Sequence, residues 1–315
     1  MENLIFSLNA TIPIFLMMVL GYIFHQIGWM DDVFASKMNK FVFLVPLPVM
    51  VFKDLATVDF SKVWDLKFVL FCFGATVLSI AIAAVVSCIW RDKALKGEFI
   101  QASYRSSAAL LGIAFIQNIY GNSVMAPLMI IGSVPLYNIM AVVVLSFFKP
   151  GQEGKMTAQL WKKMLKGIVT NPIIIGIVLG IIWSIFQIPM PHILEKTLTN
   201  LGNVASPMGL MAMGATFDFR KALGKAKPAI TATIIKLIGF VLIFLPVAVS
   251  MGFREEKLVA ILVMLGSATT VSCYVMAKNM GHEGVLTSSV VMLTTVFSAF
   301  SLTMWLYILR SLGLV

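Results

Sequence analysis

The sequence predicts an all-α polytopic membrane protein of ten transmembrane helices, built as two inverted five-helix repeats with crossing broken helices at the fourth and ninth spans. Three observations carry this. Hydrophobic residues make up 59% of the 315 residues and charged residues only 12%, against about 25% charged in soluble domains. The apolar residues gather into stretches near the roughly 20 residues that a helix needs to cross a bilayer. The chain also matches itself when slid by 159 positions, which is how a repeat architecture reads in sequence.

The first span covers about Leu4–Ile27. The second, about Val33–Leu55, is interrupted by Pro46 and Pro48. Each proline removes a backbone donor and bends or breaks a helix, so these two are candidate kinks around a cavity, or simple packing kinks. The third, about Leu66–Trp90, is apolar almost throughout. The fourth, Glu98–Gly121, is unlike a lipid-facing helix. It carries Gln101, Ser103, Tyr104, Arg105, Ser106 and Ser107, with Gln117 and Asn118 near its end. A charge at membrane depth costs about 2.5–3.5 kcal/mol on insertion scales, so it faces protein or a water-filled cavity. The fifth covers about Ser123–Phe148, and the polar loop Lys149–Lys166 follows. The sixth, about Gly167–Gln187, contains Gly176 and Gly180 in a GxxxG spacing that permits close helix contact. The seventh, about Ile193–Phe217, holds Pro207, a third candidate kink; the eighth covers about Pro228–Gly252. The ninth, Lys257–Gly281, has the polar run GSATTVSC at its middle, and the tenth covers about Gly284–Arg310.

Under the 159 shift, Pro13-Ile14 falls on Pro172-Ile173 and Val19-Leu20-Gly21 on Val178-Leu179-Gly180. Pro48 falls on Pro207 and Asp59-Phe60 on Asp218-Phe219. The organisation expected is therefore residues 1–150 as the first repeat, 151–166 as a linker and 167–315 as the second repeat. Five spans per copy is an odd number, so the second copy enters the membrane upside down. Inverted repeats place binding sites at their interface near the midplane, on discontinuous helices.

Net charge is +10. Lys and Arg cluster after the third span (Arg91, Lys93, Lys96), in the central loop, and after the seventh (Arg220, Lys221, Lys225, Lys227). With ten spans these fall on one side, which the positive-inside bias makes cytoplasmic, leaving both termini extracytoplasmic in a plasma or inner membrane. No soluble domain presents a basic face, so nucleic acid is not an expected partner. Cys72, Cys88 and Cys273 lie in apolar runs, against a disulfide framework. His25, His192 and His282 have no second ligand at helical spacing, so neither a metal nor another cofactor is expected.

Dense Ser, Thr and Gly can satisfy the backbone groups freed where a helix unwinds. Ser106–Leu110 and Gly266–Thr270 are the two places where broken helices cross in this reading. Their half-helix N-termini offer amide donors and positive dipole ends to an anion. The competing reading is two continuous helices whose hydroxyls back-bond to carbonyls. Arg105 presents a planar fork suited to a carboxylate; alternatively it snorkels or pairs with Glu98. Lys236 in the eighth span lacks polar neighbours in sequence and has a weaker claim. No Asp or Glu lies deep in any span on this reading, which speaks against a carboxylate proton relay.

The opening GYIFHQIGWMDD, the block RSSAALLGIAFIQNIYG and the closing GHEGVLTSSVVMLTTVFSAFSLTMWL, in that order, resemble the auxin efflux carrier family in its bacterial branch, within the bile acid/auxin carrier superfamily. The resemblance implies scaffold spans 1, 2, 6 and 7, which often make a homodimer, and a transport unit from the remaining spans. It implies small organic anions as substrates, malate and related carboxylates in bacteria. The sequence departs from the family where Ser107 replaces an Asn, Ala109 a Gly and Ala114 a Pro, while Gly112 is kept.

The expected function is a secondary transporter of a small organic anion by alternating access, elevator-type, with no catalytic residues. The expected substrate-binding residues are Arg105, Ser106, Ser107, Gly112, Asn138, Ser267, Thr269, Thr270, Ser272 and Ser298, with Pro46, Pro48 and Pro207 as kinks. An anion channel, or a membrane sensor with a vestigial transport site, is the alternative. A membrane enzyme is disfavoured, because no acid pair faces any of the scattered histidines.

Overall fold

The computed structural model describes residues 2–57, 65–108, 113–120, 125–151, 162, 166 and 169–315, and the statements below concern those residues. They are mostly helical, with no strand among them. Five stretches are long and apolar enough to cross a membrane: Asp32–Ala56, Leu66–Ser87, Leu128–Phe147, Ala226–Ser250 and Val285–Ser311.

The first helix, α1 (Glu2–Gln26), runs into a turn at Gly28. Helix α2 (Asp32–Leu44) starts at Asp31, whose carboxylate accepts the Phe34 N–H at 2.6 Å. It stops at Val45, which leaves helical geometry at φ −125°, ψ −72°. Pro46 then opens α3 (Pro46–Ala56); in a first turn the missing N–H costs no hydrogen bond. Helix α4 (Leu66–Ser87) is capped by Asp65. Helix α5 (Lys93–Tyr104) begins before the expected Glu98, with Asp92 accepting from Leu95 N at 3.4 Å. Lys93 and Lys96 therefore belong to a helix and not to a loop. Helices α6 (Ile113–Tyr120) and α7 (Ala126–Phe147) complete the first half.

Helix α8 (Pro172–Ile185) is capped by Asn171, and Pro172 takes its first position. Helices α9 (His192–Asn203) and α10 (Ala205–Ala215) meet at Val204, with Pro207 in the first turn of α10. After the short α11 (Phe219–Gly224) comes α12 (Ala226–Ser250), interrupted by a π turn at Ile235–Gly239. The expected ninth span is two helices, α13 (Glu255–Gly266) and α14 (Ser272–Asn279). Helix α15 (Val285–Ser311) ends the chain.

Two packing groups position the site, and they meet where α1 also packs against α15. In one, α1 lies against α10, and α3 against α8 and α9. The approach is so close that glycine is required: a Cβ on Gly176 would stand 2.6 Å from Pro48 O, and one on Gly180 2.8 Å from Phe52 O. Gly21 faces the Met211 carbonyl and Gly214 the Met18 carbonyl in the same way. The GxxxG spacing thus serves helix contact within the chain. In the other group, α4 and α5 pack with α7, and α5 and α12 with α15. Phe253 sits edge-on to Phe68 and Phe71 at 5.8 and 5.3 Å. Glu98 ties this group together. Its carboxylate accepts the N–H groups of Gly284 and Thr287, at 2.9 and 3.0 Å, and the Thr287 hydroxyl at 2.9 Å. It is 2% exposed and caps α15, where an anion suits the positive helix end. The sequence left it at a span end, and pairing with it was one alternative for Arg105; the structure gives it to α15 instead.

Candidate functional site

Two helix breaks build the site. Helix α5 ends at Tyr104 and residues 105–107 are not helical. Helix α13 ends where Ser267 turns extended, at φ −78°, ψ 166°, and α14 resumes at Ser272. No proline stands in either break; hydrogen bonds between the two replace those lost within each helix. Ser107 N donates to Ala268 O at 2.9 Å, so the breaks touch. Carbonyls at a helix end have no partner in their own helix, and here each break supplies donors to the other. Thr269 Oγ1 donates to Ala102 O at 2.8 Å, and Ser106 Oγ to Met264 O. Gln101 Nε2 donates to Cys273 O at 2.9 Å, and Tyr137 OH to Met264 O at 3.1 Å. Thr294 on α15 accepts the Thr269 N–H at 2.9 Å.

Arg105 lies inside this crossing, 2% exposed. Its Nη2 donates to Asn138 Oδ1 and Ser272 Oγ, both at 2.7 Å, and Nη1 stands 2.8 Å from Met276 Sδ. Asn138 spends its amide nitrogen on Val134 O at 3.0 Å, which turns its oxygen to the guanidinium. Thr270 Oγ1 is 3.2 Å from Ser272 Oγ. Arg105 Nε is buried with no partner among the described residues, and no carboxylate among them is ion-paired to Arg105. Arg105, Ser106, Ser107, Asn138, Thr270 and Ser272 all border one cavity of about 40 Å³.

The remaining expected residues lie elsewhere. Thr269 is spent on the crossing bonds above. Ser267 is buried, its hydroxyl without a partner among the described residues. Ser298 bonds within its own helix, Oγ to Thr295 O at 3.2 Å. Gly112 lies outside the described residues.

Two residues were missed in the sequence. The reading found no acid deep in a span, yet Asp54 of α3 borders the Arg105 cavity. Leu47, Val51 and Asp54 share the helix face with i, i+4, i+7 spacing, and that signal was available. Lys236 was given no polar neighbours, yet it is fully buried at the crossing. Its ammonium donates to Leu265 O at 2.8 Å, to Tyr104 O at 3.3 Å and to Ser106 Oγ. Nothing in the local sequence reports this, because all three acceptors come from distant segments of the chain.

A second, larger cavity of about 960 Å³ lies between α1, α2, α10 and α14. Lys40, Arg220, Lys221 and Lys278 line it, against Asp32 and Asp218. Thr216, just after α10, and Tyr274 of α14, hydroxyls bonded to each other, join the two packing groups at its wall.

A family described as membrane transport protein matches residues 6–306. This chain belongs to the membrane transport protein family. The auxin efflux carrier resemblance of its motifs is to this same family. Over 309 residues the membrane transport protein is 21% identical to an uncharacterized transporter of Methanothermobacter thermautotrophicus, covering 96% of this chain and 98% of that one. It is 22% identical over 310 residues to a proposed malonate transporter of Rhizobium meliloti, covering 96% of each. Among solved structures, a sodium proton antiporter of Methanocaldococcus jannaschii shares the fold, with a TM-score of 0.63 at 13% identity over 95% of this chain and 97% of that one.

Proposed function

We propose that this membrane transport protein is a secondary transporter that carries a small organic anion, a carboxylate, between the broken helices α5/α6 and α13/α14. One observation carries the reading: a buried arginine without an acidic partner among the described residues, at the meeting of two helix breaks. Burying a guanidinium is costly unless charge and hydrogen bonds compensate it. Asn138 and Ser272 are neutral, so Arg105 retains attraction for an anion and an unused Nε–H. The N-terminus of α14 adds its positive dipole end beside Ser272 and Thr270. A dicarboxylate agrees with the name of the Rhizobium relative. In this reading Ser106, Ser107, Asn138, Thr270 and Ser272 line the substrate site with Arg105, while Thr269 supports the crossing.

The reading includes ten spans in two inverted repeats, and the glycine contacts support it. Gly21 meets Met211, and Gly180 meets Phe52; each pair is the image of the other under the 159 shift. Helices α1–α3 and α8–α10 would be the scaffold and the dimer contact. Helices α4–α7 and α12–α15 would be the moving unit of an elevator. Arg105, Asn138 and Ser272 all sit on the second group, and α3 contributes only one wall. The large cavity has Arg220, Lys221 and Lys278 at its lining, so the positive-inside bias makes it a cytoplasmic vestibule and puts both termini outside.

Counterflow in liposomes tests the function. Vesicles loaded with unlabelled malonate or malate should accumulate labelled substrate transiently, and neutral analogues should fail. Steady conductance without counterflow would make the protein a channel; no flux of any carboxylate would remove the anion reading.

A further inference from the structure

The buried ammonium of Lys236 takes no part in the substrate contacts above. It stands where the π turn of α12 meets the C-terminal ends of α5 and α13. Its three neighbours are Tyr104 O, Leu265 O and Ser106 Oγ. Ser106 spends its only proton on Met264 O, so towards Lys236 its oxygen must accept. The site is thus three acceptor oxygens around one nitrogen, which matches the three N–H donors of an ammonium and leaves no place for an amine lone pair. Two of the three are end carbonyls of broken helices, the negative ends of their dipoles. Unwound carbonyls and half-helix C-termini are what secondary transporters use to hold a coupling cation near the midplane. The π turn that carries the lysine is tied to α15: Trp305 Nε1 donates to Leu237 O at 3.0 Å.

We propose that Lys236 is a tethered counter-ion occupying a three-oxygen site for a monovalent cation, and that removing its side chain opens this site to a free sodium ion. Ser106 joins the two sites, since its hydroxyl accepts from Lys236 while the residue borders the Arg105 cavity. The lysine therefore supplies positive potential next to the substrate without recruiting an ion from solution. For its consequence, transport that needs no sodium, the inference rests on the carrier reading above.

The test is thermal unfolding of the purified full chain in sodium, potassium or choline chloride at equal ionic strength. The wild-type midpoint should be the same in all three. Lys236→Ala should unfold earlier in choline and regain about 3 °C or more in sodium, saturably, as expected of a ligand that binds only the folded state. Adding Ser106→Ala to that variant removes one oxygen and should raise the sodium concentration needed at least tenfold. A folded Lys236→Ala protein indifferent to the cation would overturn the proposal and leave the lysine a structural tie. So would a wild-type midpoint that depends on sodium. Should the alanine variant not fold in choline, its recovery in sodium counts as the expected result. Failure of both Lys236→Ala and Lys236→Ser to fold in any of the three salts counts against it. None of these readings needs a transported anion. A wild-type protein inactive in counterflow would remove the carrier reading and leave the cation site to be judged by itself.

Discussion

At the scale of single residues, Arg105 distinguishes an anion site from an internal fastening. Its neighbours are an amide, a hydroxyl and a thioether, which satisfy geometry but leave the charge unbalanced. If it holds the substrate carboxylate, Arg105→Ala should reduce carboxylate counterflow by about tenfold or more, equivalent to about 1.4 kcal/mol of binding. Arg105→Lys should retain part of it, because a lysine keeps the charge but loses the planar fork. Folded Arg105→Ala protein at equal membrane abundance with unchanged counterflow would show that the arginine only braces the crossing. Asp54 belongs to the same scale, as the one carboxylate among the residues that line this cavity.

Among the elements, glycine decides how close helices come. Gly21 and Gly180 each press against a carbonyl of the facing helix, while a Cβ on Gly74 would meet nothing within 4 Å. Helix propensity alone favours alanine at all three positions. Packing should reverse that preference at two of them. Gly21→Ala and Gly180→Ala should each destabilise by about 1–3 kcal/mol through overpacking, and Gly74→Ala should stay within about 0.5 kcal/mol. Unfolding midpoints in one detergent make the comparison. If only one of Gly21 and Gly180 is sensitive, the two contacts are not equivalent and the proposed symmetry loses its best support. The breaks in α5/α6 and α13/α14 follow the same principle of exchange between elements. Each helix ends where its partner supplies donors for the freed carbonyls, which is why no proline is required there.

For the whole molecule, the proposed inversion makes a directional claim. Glu195 lies in the first turn of α9 and Lys225 follows α11, so they stand at opposite ends of the α9–α10 segment, and a cysteine at Lys225 should react with a membrane-impermeant reagent from the cytoplasm only. One at Glu195 should react from outside only. Labelling of both from the same side would mean that this segment does not cross, and the inverted repeat would fail with it. The large basic cavity gives the same experiment a second use. If it is a cytoplasmic vestibule, a cysteine at Lys278 shares the sidedness of Lys225.

The membrane class of the protein, its helical character and the two polar stretches were legible in the sequence, because exclusion from lipid acts residue by residue and leaves its record in composition. The position of Val45 as a break was legible from Pro46, since proline acts on its own helix. What could not be read was every feature whose cause is a residue far along the chain. Glu98 looked like a span end and proved to be the cap of α15. Asp54 was not counted as an acid deep in a span and proved to border the Arg105 cavity. Lys236 looked isolated because its three oxygens lie 29 to 132 positions away. A buried charge is tolerated only where other helices bring it partners, and which helices meet is decided by tertiary packing alone.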